Sequence, residues 1–256
     1  IVDIIVPSKN QLIVLKQVLK FDVNIVCQKP LTNSLKEAKE LFYKIKELGI
    51  KFYIHENFRF QPWYLKIKKL LNKNIIGDPY QVFFKMRPGD GQGKQAYLNR
   101  QPYFQSMDRF LIRETGIHFI DIFRFLFGEI NYVYSKLKKL NPNIKGEDQG
   151  IVIFEFEENL LGLFDGNRLS DHIALDRRLT IGEMFIEGSM GTLRLNGDGD
   201  IFFRKFKSNT ENIIKYKWSN KGFAGDSVYK FQKNILQTIK KNIDDPSEIK
   251  NYLKNL

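Results

Sequence analysis

The chain has 256 residues, 43% hydrophobic and 14% aromatic, which is enough apolar surface for one large domain or two modest ones. No run approaches the ~18 apolar residues of a membrane span, the first residues lack the zones of a secretory signal, and a single cysteine, Cys27, excludes an internal disulfide or a cysteine-based zinc site. The net charge of +12 rests on lysines such as Lys36, Lys39, Lys44 and Lys46 interleaved with Glu37, Glu40 and Glu47, a solvated-face pattern without a nucleic-acid-binding signature. A cytoplasmic protein with neither nucleic-acid nor membrane partners is expected.

The chain opens on the apolar run Val2–Val6, stopped by Pro7, and Gln11–Lys20 has helical periodicity through Leu12, Leu15, Val18 and Leu19. Val23–Cys27 reads as a second strand, and Gln28-Lys29-Pro30-Leu31-Thr32 as the loop after it. The next helix is announced by the Ser34/Glu37 capping box and stopped by Gly49, and Ile50–Ile54 is a third strand. Strands alternating with helices at this spacing predict a parallel sheet with right-handed crossovers over residues 1–55. The Lys29 loop leaves a strand's carboxyl end, where open parallel sheets bind ligands, and Pro30 biases Lys29 toward an extended backbone.

From residue 56 the pattern changes. Trp63–Asn72 is an amphipathic helix and Tyr80–Arg87 a strand. Pro88-Gly89-Asp90-Gly91-Gln92-Gly93 resembles a phosphate loop in composition only, since no helix opens after it, and is expected to be a mobile rim loop. The segment from Arg113 to Gly128 is a helix carrying Glu114, His118 and Asp121 at i, i+4 and i+7 on an otherwise apolar surface. Gly116 within it leaves the backbone bare for a close approach. Strands are predicted at 132–140, 150–156, 160–167, 178–187, 191–195, 200–206 and 212–218, giving one large, mostly antiparallel sheet, followed by a helix over 226–241.

Several short motifs, weak singly, are specific in their order: Asp3-Ile4-Ile5-Val6-Pro7, Cys27-Gln28-Lys29-Pro30-Leu31, Asn57-Phe58-Arg59-Phe60-Gln61-Pro62, Ile76-Gly77-Asp78-Pro79, Glu114-x-Gly116-x-His118-x-x-Asp121 and Phe127-Gly128. In that order they resemble the Gfo/Idh/MocA family of nicotinamide-dependent oxidoreductases, from residue 1 to the end. The resemblance implies the second half of a Rossmann domain over 1–55 and a substrate and dimerisation domain over 56–256. It also implies two further βα units with a Gly-rich loop before Ile1, and more of a final helix after Leu256. Gln28 stands where the family's motif has glutamate, Gln11 where histidine is common, and Glu114 where aspartate often precedes the histidine.

The activity implied is hydride transfer between NAD or NADP and a hydroxyl or carbonyl carbon of a sugar, polyol or related compound. His118 suits the proton acceptor because imidazole titrates near neutrality, and Lys29 suits the donor to the substrate oxygen, with Glu114 orienting or tuning His118. Pro7, Gln28, Lys29 and Pro30 are expected at the cofactor, and Asn57, Arg59, Arg113, Asn167 and Arg168 at the substrate. Asp121 is open between capping, pairing with Arg124 and shaping the pocket; Arg59 could also pair with Glu56, and His55 and His172 read as structural. Glu114 and His118 alone are too few ligands for a metal. The sheet's outer face is expected to join two copies of the chain. Two other activities stay open: a non-catalytic nucleotide-binding regulator, which should have lost Lys29 or His118, and a lyase or glycosidase that oxidises its substrate transiently.

Overall fold

The computed structural model describes residues 1–32 and 34–256, and contacts between α-carbons divide it into two compact units, Ile1–Phe58 with Val228–Leu256, and Arg59–Ser227. The expected division at residue 56 therefore falls three residues later. The last 29 residues, 228–256, join the first unit rather than the second.

In the first unit, β1 (Val2–Ile4), β2 (Ile25–Gln28) and β3 (Phe52–His55) form a parallel sheet in the order β1-β2-β3, with α1 (Ser8–Val18) and α2 (Leu35–Leu48) as the crossovers. The β2 side chains from Ile25 to Cys27 are buried, as expected of a central parallel strand covered on both faces. Ser34 caps α2 by accepting from the Glu37 N–H at 3.2 Å, and Gly49 ends it with left-handed backbone at φ 66°. The C-terminal segment docks on β3. The Ile54 N–H donates to the Ser247 carbonyl at 2.8 Å, Tyr53 bridges Glu248, and the Phe231 ring stacks on His55 with centroids 4.3 Å apart. These contacts, between residues far apart in sequence, are why residues 228–256 belong with the parallel sheet.

The second unit is an eight-stranded sheet with helices α3 (Pro62–Leu71) and α4 (Ile117–Phe127). Its strands are β4 (Pro79–Met86), β5 (Ile130–Lys138), β6 (Gln149–Phe156), β7 (Leu161–Asn167), β8 (Gly182–Gly188), β9 (Gly191–Leu195), β10 (Ile201–Lys205) and β11 (Asn212–Ile213). The order is β11-β10-β9-β8-β4-β7-β6-β5, antiparallel except where β4 runs parallel to β7. Alternation sets the two faces: Val82, Phe84 and Met86 of β4 are buried, whereas Gln81, Phe83 and Lys85 point the other way. The buried face packs on α4, with Phe119 stacked on Phe84 at 3.9 Å and Phe123 edge-on to Phe154 at 5.5 Å, each such ring worth roughly 2–3 kcal/mol of burial. Lys68 of α3 donates to the Leu126 carbonyl at 2.9 Å, placing a cation at the carboxyl end of α4.

Two strands fall well short of the span the sequence predicts. β8 begins at Gly182 because residues 178–181 belong to a loop closed by Thr180, whose hydroxyl donates to the carbonyls of Gly182 and Gly197. β11 ends after two residues. Beyond it the chain is held by the Ile214 N–H on the Ile201 carbonyl and by a Tyr216 hydroxyl that donates to the Gly199 carbonyl, with no further ladder. The helix after it, α5 (Phe223–Lys241), is broken near its start by left-handed backbone at Ala224–Asp226, so regular helix runs on only from Ser227.

Candidate active site

In the first unit, polar groups gather at the carboxyl ends of β2 and β3. Gln11 on α1 donates from Nε2 to the Gln28 carbonyl at 2.8 Å, and Gln28 donates from Nε2 to His55 Nδ1 at 2.9 Å. An amide nitrogen can only donate, so His55 Nδ1 is an acceptor and the ring is neutral with its proton on Nε2. Burial lowers the His55 pKa, opposed by Asp3 and Glu56. The Gln11 Oε1 atom is buried with no hydrogen-bond partner. Lys29 is half-buried beside a buried Pro30, and Pro7 is exposed at the start of α1. Asn57, expected at the substrate, is buried just after β3.

In the second unit, the stripe on the central helix is rearranged. The segment Leu111–Gly116 is a π-helical turn, and the α-helix proper begins at Ile117, whose N–H reaches back to the Ile112 carbonyl. Glu114 thus sits in the wider turn, half-buried, whereas His118 and Asp121 are buried on α4 at 5% and 0% exposure. Gly116 is not bare: a Cβ there would meet the Ile112 side chain at 3.1 Å, so its hydrogen makes room for the π turn's own packing. Arg113 is half-buried on the same turn.

Asp121 pairs with Arg59. Arg59 grips it through two parallel hydrogen bonds, Nε to Oδ2 at 2.7 Å and Nη2 to Oδ1, while Arg124 pairs with Glu129. Arg59, expected at the substrate, thus also holds α4. Arg168 has a similar fate. It is 4% exposed and donates from Nε to the Tyr97 hydroxyl at 2.9 Å, from Nη1 to Thr115 Oγ1 at 2.8 Å and from Nη2 to Asp90 at 2.8 Å, with its guanidinium 4.5 Å from the Phe110 ring centre. Burial works against its charge, but Asp90 and Tyr97 outweigh that and raise its pKa. Asn167, also expected at the substrate, accepts from the Leu169 and Ser170 N–H groups and so caps its own turn.

The 88–93 loop, expected to be mobile, is pinned from three sides. Asp90 holds Arg168, the Gly91 N–H donates to the Arg168 carbonyl at 2.9 Å, and Asn141 donates to the carbonyls of Gly91 and Gly93. A Cβ at Gly91 would lie 2.8 Å from the Tyr97 hydroxyl and 3.0 Å from Arg168, so a side chain here would push on both. His172 likewise serves the scaffold, its Nδ1 2.6 Å from the Arg87 carbonyl oxygen. Among the described residues no three His, Cys, Asp or Glu side chains are grouped to hold a metal, and no helix is long and apolar enough to cross a membrane.

Residues 64–194, just over half of the chain, match the model of the GFO/IDH/MocA C-terminal domain. The chain belongs to the Gfo/Idh/MocA family. It is 29% identical over 195 residues to the D-apiose dehydrogenase of Rhizobium rhizogenes, covering 76% of this chain and 54% of that protein. It is 30% identical over 177 residues to the scyllo-inositol 2-dehydrogenase (NAD(+)) of Bacillus subtilis, covering 66% of this chain and 48% of that one. The chain thus spans about half the length of these relatives. A crystal structure of an oxidoreductase from Agrobacterium radiobacter, in complex with NAD+, L-tartaric acid and magnesium, shares the fold with a TM-score of 0.86 at 24% identity, over 99% of this chain and 73% of that one.

Within this Gfo/Idh/MocA chain several polar groups escape a reading by motif. Thr115 and Asp90 look unremarkable in sequence, and Tyr97 lies in a stretch with no periodic signal. Tyr103, whose pKa is raised by burial and by the field of Glu114, sits in the same stretch. The available signal is the glycine density of 88–93, which reports a backbone that must come close to something.

Proposed function

We propose that this chain is the substrate-handling part of an oxidoreductase that moves a hydride between NAD or NADP and a carbinol or carbonyl carbon of a polyhydroxy compound. The observation that carries this reading is His118, an ionisable side chain buried on α4 directly after a π-helical turn, within the stretch matched to the family's C-terminal domain. π turns are rare and concentrate where a helix must present a side chain out of its regular phase.

The bound nicotinamide would supply hydride acceptance. Gln28, Lys29 and Pro30 would hold it, with Pro7 at the start of α1. The residues present fit that group, because the buried, unpartnered Gln11 Oε1 at the carboxyl end of the sheet is an acceptor of the kind an amide N–H would satisfy. His118 is assigned the proton of the substrate hydroxyl, Glu114 the orientation of the imidazole, and Lys29 a hydrogen bond that favours developing negative charge on oxygen. Arg113 and Asn57 are the substrate contacts retained from the sequence reading. The D-apiose and scyllo-inositol relatives point to a neutral polyol or sugar as the substrate class. Buried Cys27 accords with a reducing, cytoplasmic setting.

The partner we assign is a second copy of the chain on the sheet's outer face. There Tyr134, Ile153, Leu163, Phe83 and Phe185 stand in one cross-strand row, exposed or half-buried. Phe83, Leu163 and Phe185 line an open depression of about 400 Å³ together with Gln81 and Glu187. An apolar row of this kind suits a two-fold, self-complementary contact.

The test is a screen of D-apiose, scyllo-inositol and other polyols with NAD and NADP, following nicotinamide reduction in the natural protein that carries this sequence. Lys29→Ala and His118→Ala should each lower turnover by orders of magnitude with the fold intact. Turnover near that of the parent in either variant removes that residue from the mechanism.

A further inference from the structure

The contacts of Arg168 reach past its own surroundings to the turn that carries Glu114. We propose that Arg168 is a positioning residue, a strut from Asp90 to Thr115 that holds the π-helical turn Leu111–Gly116 and thereby sets Glu114 against His118. The proposal rests on the proton-transfer role given to His118 above.

A π turn is tied by bonds to the fifth residue back, and an isolated one is strained relative to the α-helix it interrupts. This one is fixed at both ends by groups outside the helix. At its start the Glu147 carbonyl accepts from the Leu111 N–H at 2.9 Å and the Glu147 carboxylate from the Ile112 N–H at 3.3 Å. Toward its end Arg168 Nη1 donates to Thr115 Oγ1 at 2.8 Å, a bond buried on both sides. Glu114 lies between these two fixed points.

Arg168 is itself immobilised. Its backbone N–H donates to the Asp148 carbonyl at 3.0 Å and its own carbonyl accepts from Gly91, so neither the strand end nor the side chain can swing. The guanidinium caps a small core of Ala96, Phe104, Phe110 and Ile144, and Asp90 balances its charge. Each of the three nitrogens of the fork donates to a protein acceptor.

The consequence of losing the strut follows from helix geometry. If the turn relaxes from π to α spacing, one residue is absorbed and everything before it rotates by ~100° about the axis relative to His118. Glu114 would then be presented to the histidine from a different angle, while Asp121, on the far side of His118 from the turn, would not move.

Thr115→Val removes the acceptor at nearly constant volume, Thr115→Ser keeps it, and Arg168→Lys retains the charge beside Asp90 without the three-way fork. Two readouts are taken on the natural protein that carries this sequence: amide hydrogen exchange across residues 113–117, and kcat and KM with the best polyol and nicotinamide cofactor. Thr115→Val and Arg168→Lys should speed exchange by roughly tenfold, the worth of one hydrogen bond to a charged donor, and lower kcat by a similar factor with KM changed less than about twofold. Thr115→Ser should resemble the parent in both. Unchanged exchange overturns the strut, and faster exchange with unchanged kcat overturns its catalytic consequence. A raised KM with unchanged kcat makes Arg168 or Thr115 a substrate ligand and overturns the positioning role. If His118→Ala keeps normal turnover, the site reading fails on its own evidence, while the exchange result still decides whether the strut exists.

Discussion

The ion pair between Arg59 and Asp121 is the most exacting test of how the second unit is held together. Both side chains are withdrawn from water, at 8% and 0% exposure, and the guanidinium covers both carboxylate oxygens. Arg59→Met keeps most of the stem's packing but leaves the Asp121 carboxylate buried without its partner, which should cost about 3–5 kcal/mol. Asp121→Asn strands the guanidinium instead, and the double variant, with no charge left to strand, should be less destabilised than the sum of the two. Tryptophan fluorescence reports this unit alone, because Trp63 and Trp218, the chain's two tryptophans, are packed edge-to-face within it at 5.6 Å. Urea unfolding of the four proteins, followed by that signal, gives the coupling energy. A cost below about 1 kcal/mol for Arg59→Met, or strict additivity in the double variant, would refute the view that this pair is desolvated and carries the attachment of α4.

Two further perturbations bear on the first unit and on the outer sheet face. Because burial holds the folded His55 neutral, below its ordinary value of 6.5, the unfolded chain takes up a proton there that the folded chain does not. Stability should therefore fall as pH drops below about 6.5, and His55→Gln should flatten that fall between roughly pH 7 and 5 in denaturant titrations followed by circular dichroism; equal slopes for parent and variant would count against it. Phe185→Arg, in the middle of the outer apolar row, should shift sedimentation from dimer toward monomer without lowering the unfolding midpoint by more than a few degrees, and a parent that sediments as a monomer would rule out the sheet-face pairing.

What could be read from the sequence was whatever is decided locally. The Ser34/Glu37 cap, the Gly49 stop and the alternation that buries Val82, Phe84 and Met86 each depend on neighbours a few residues away, and each stands in the structure as expected. The parallel junction of β4 and β7 joins residues about eighty apart, and the docking of Ser247 and Phe231 on β3 joins residues more than 170 apart. No periodicity encodes such pairings. The over-extension of β11 has a different origin: residues 214–218 have strand composition, but beyond Ile214 no neighbouring strand takes up their backbone.

The candidate site shows the same limit in its chemistry. The spacing of Glu114, His118 and Asp121 is what an unbroken α-helix would need to line them up, and nothing in six residues reading Leu-Ile-Arg-Glu-Thr-Gly marks a π turn. Glu147 and Arg168, whose side chains brace that turn, lie 35 and 53 residues from their partners. Once the turn is recognised, the arrangement around His118 acquires a logic. Thr115, three residues before it, is held by Arg168, and Asp121, three residues after it, is held by Arg59. Each arginine carries its own carboxylate, Asp90 or Asp121, so both clamps are electrically closed and bring rigidity to the histidine without adding net charge beside it. Two cations recruited without those partners would fix the helix equally well but would oppose a proton arriving at His118. The pairing of every clamp with an acid is therefore what the proton-accepting role proposed for His118 requires.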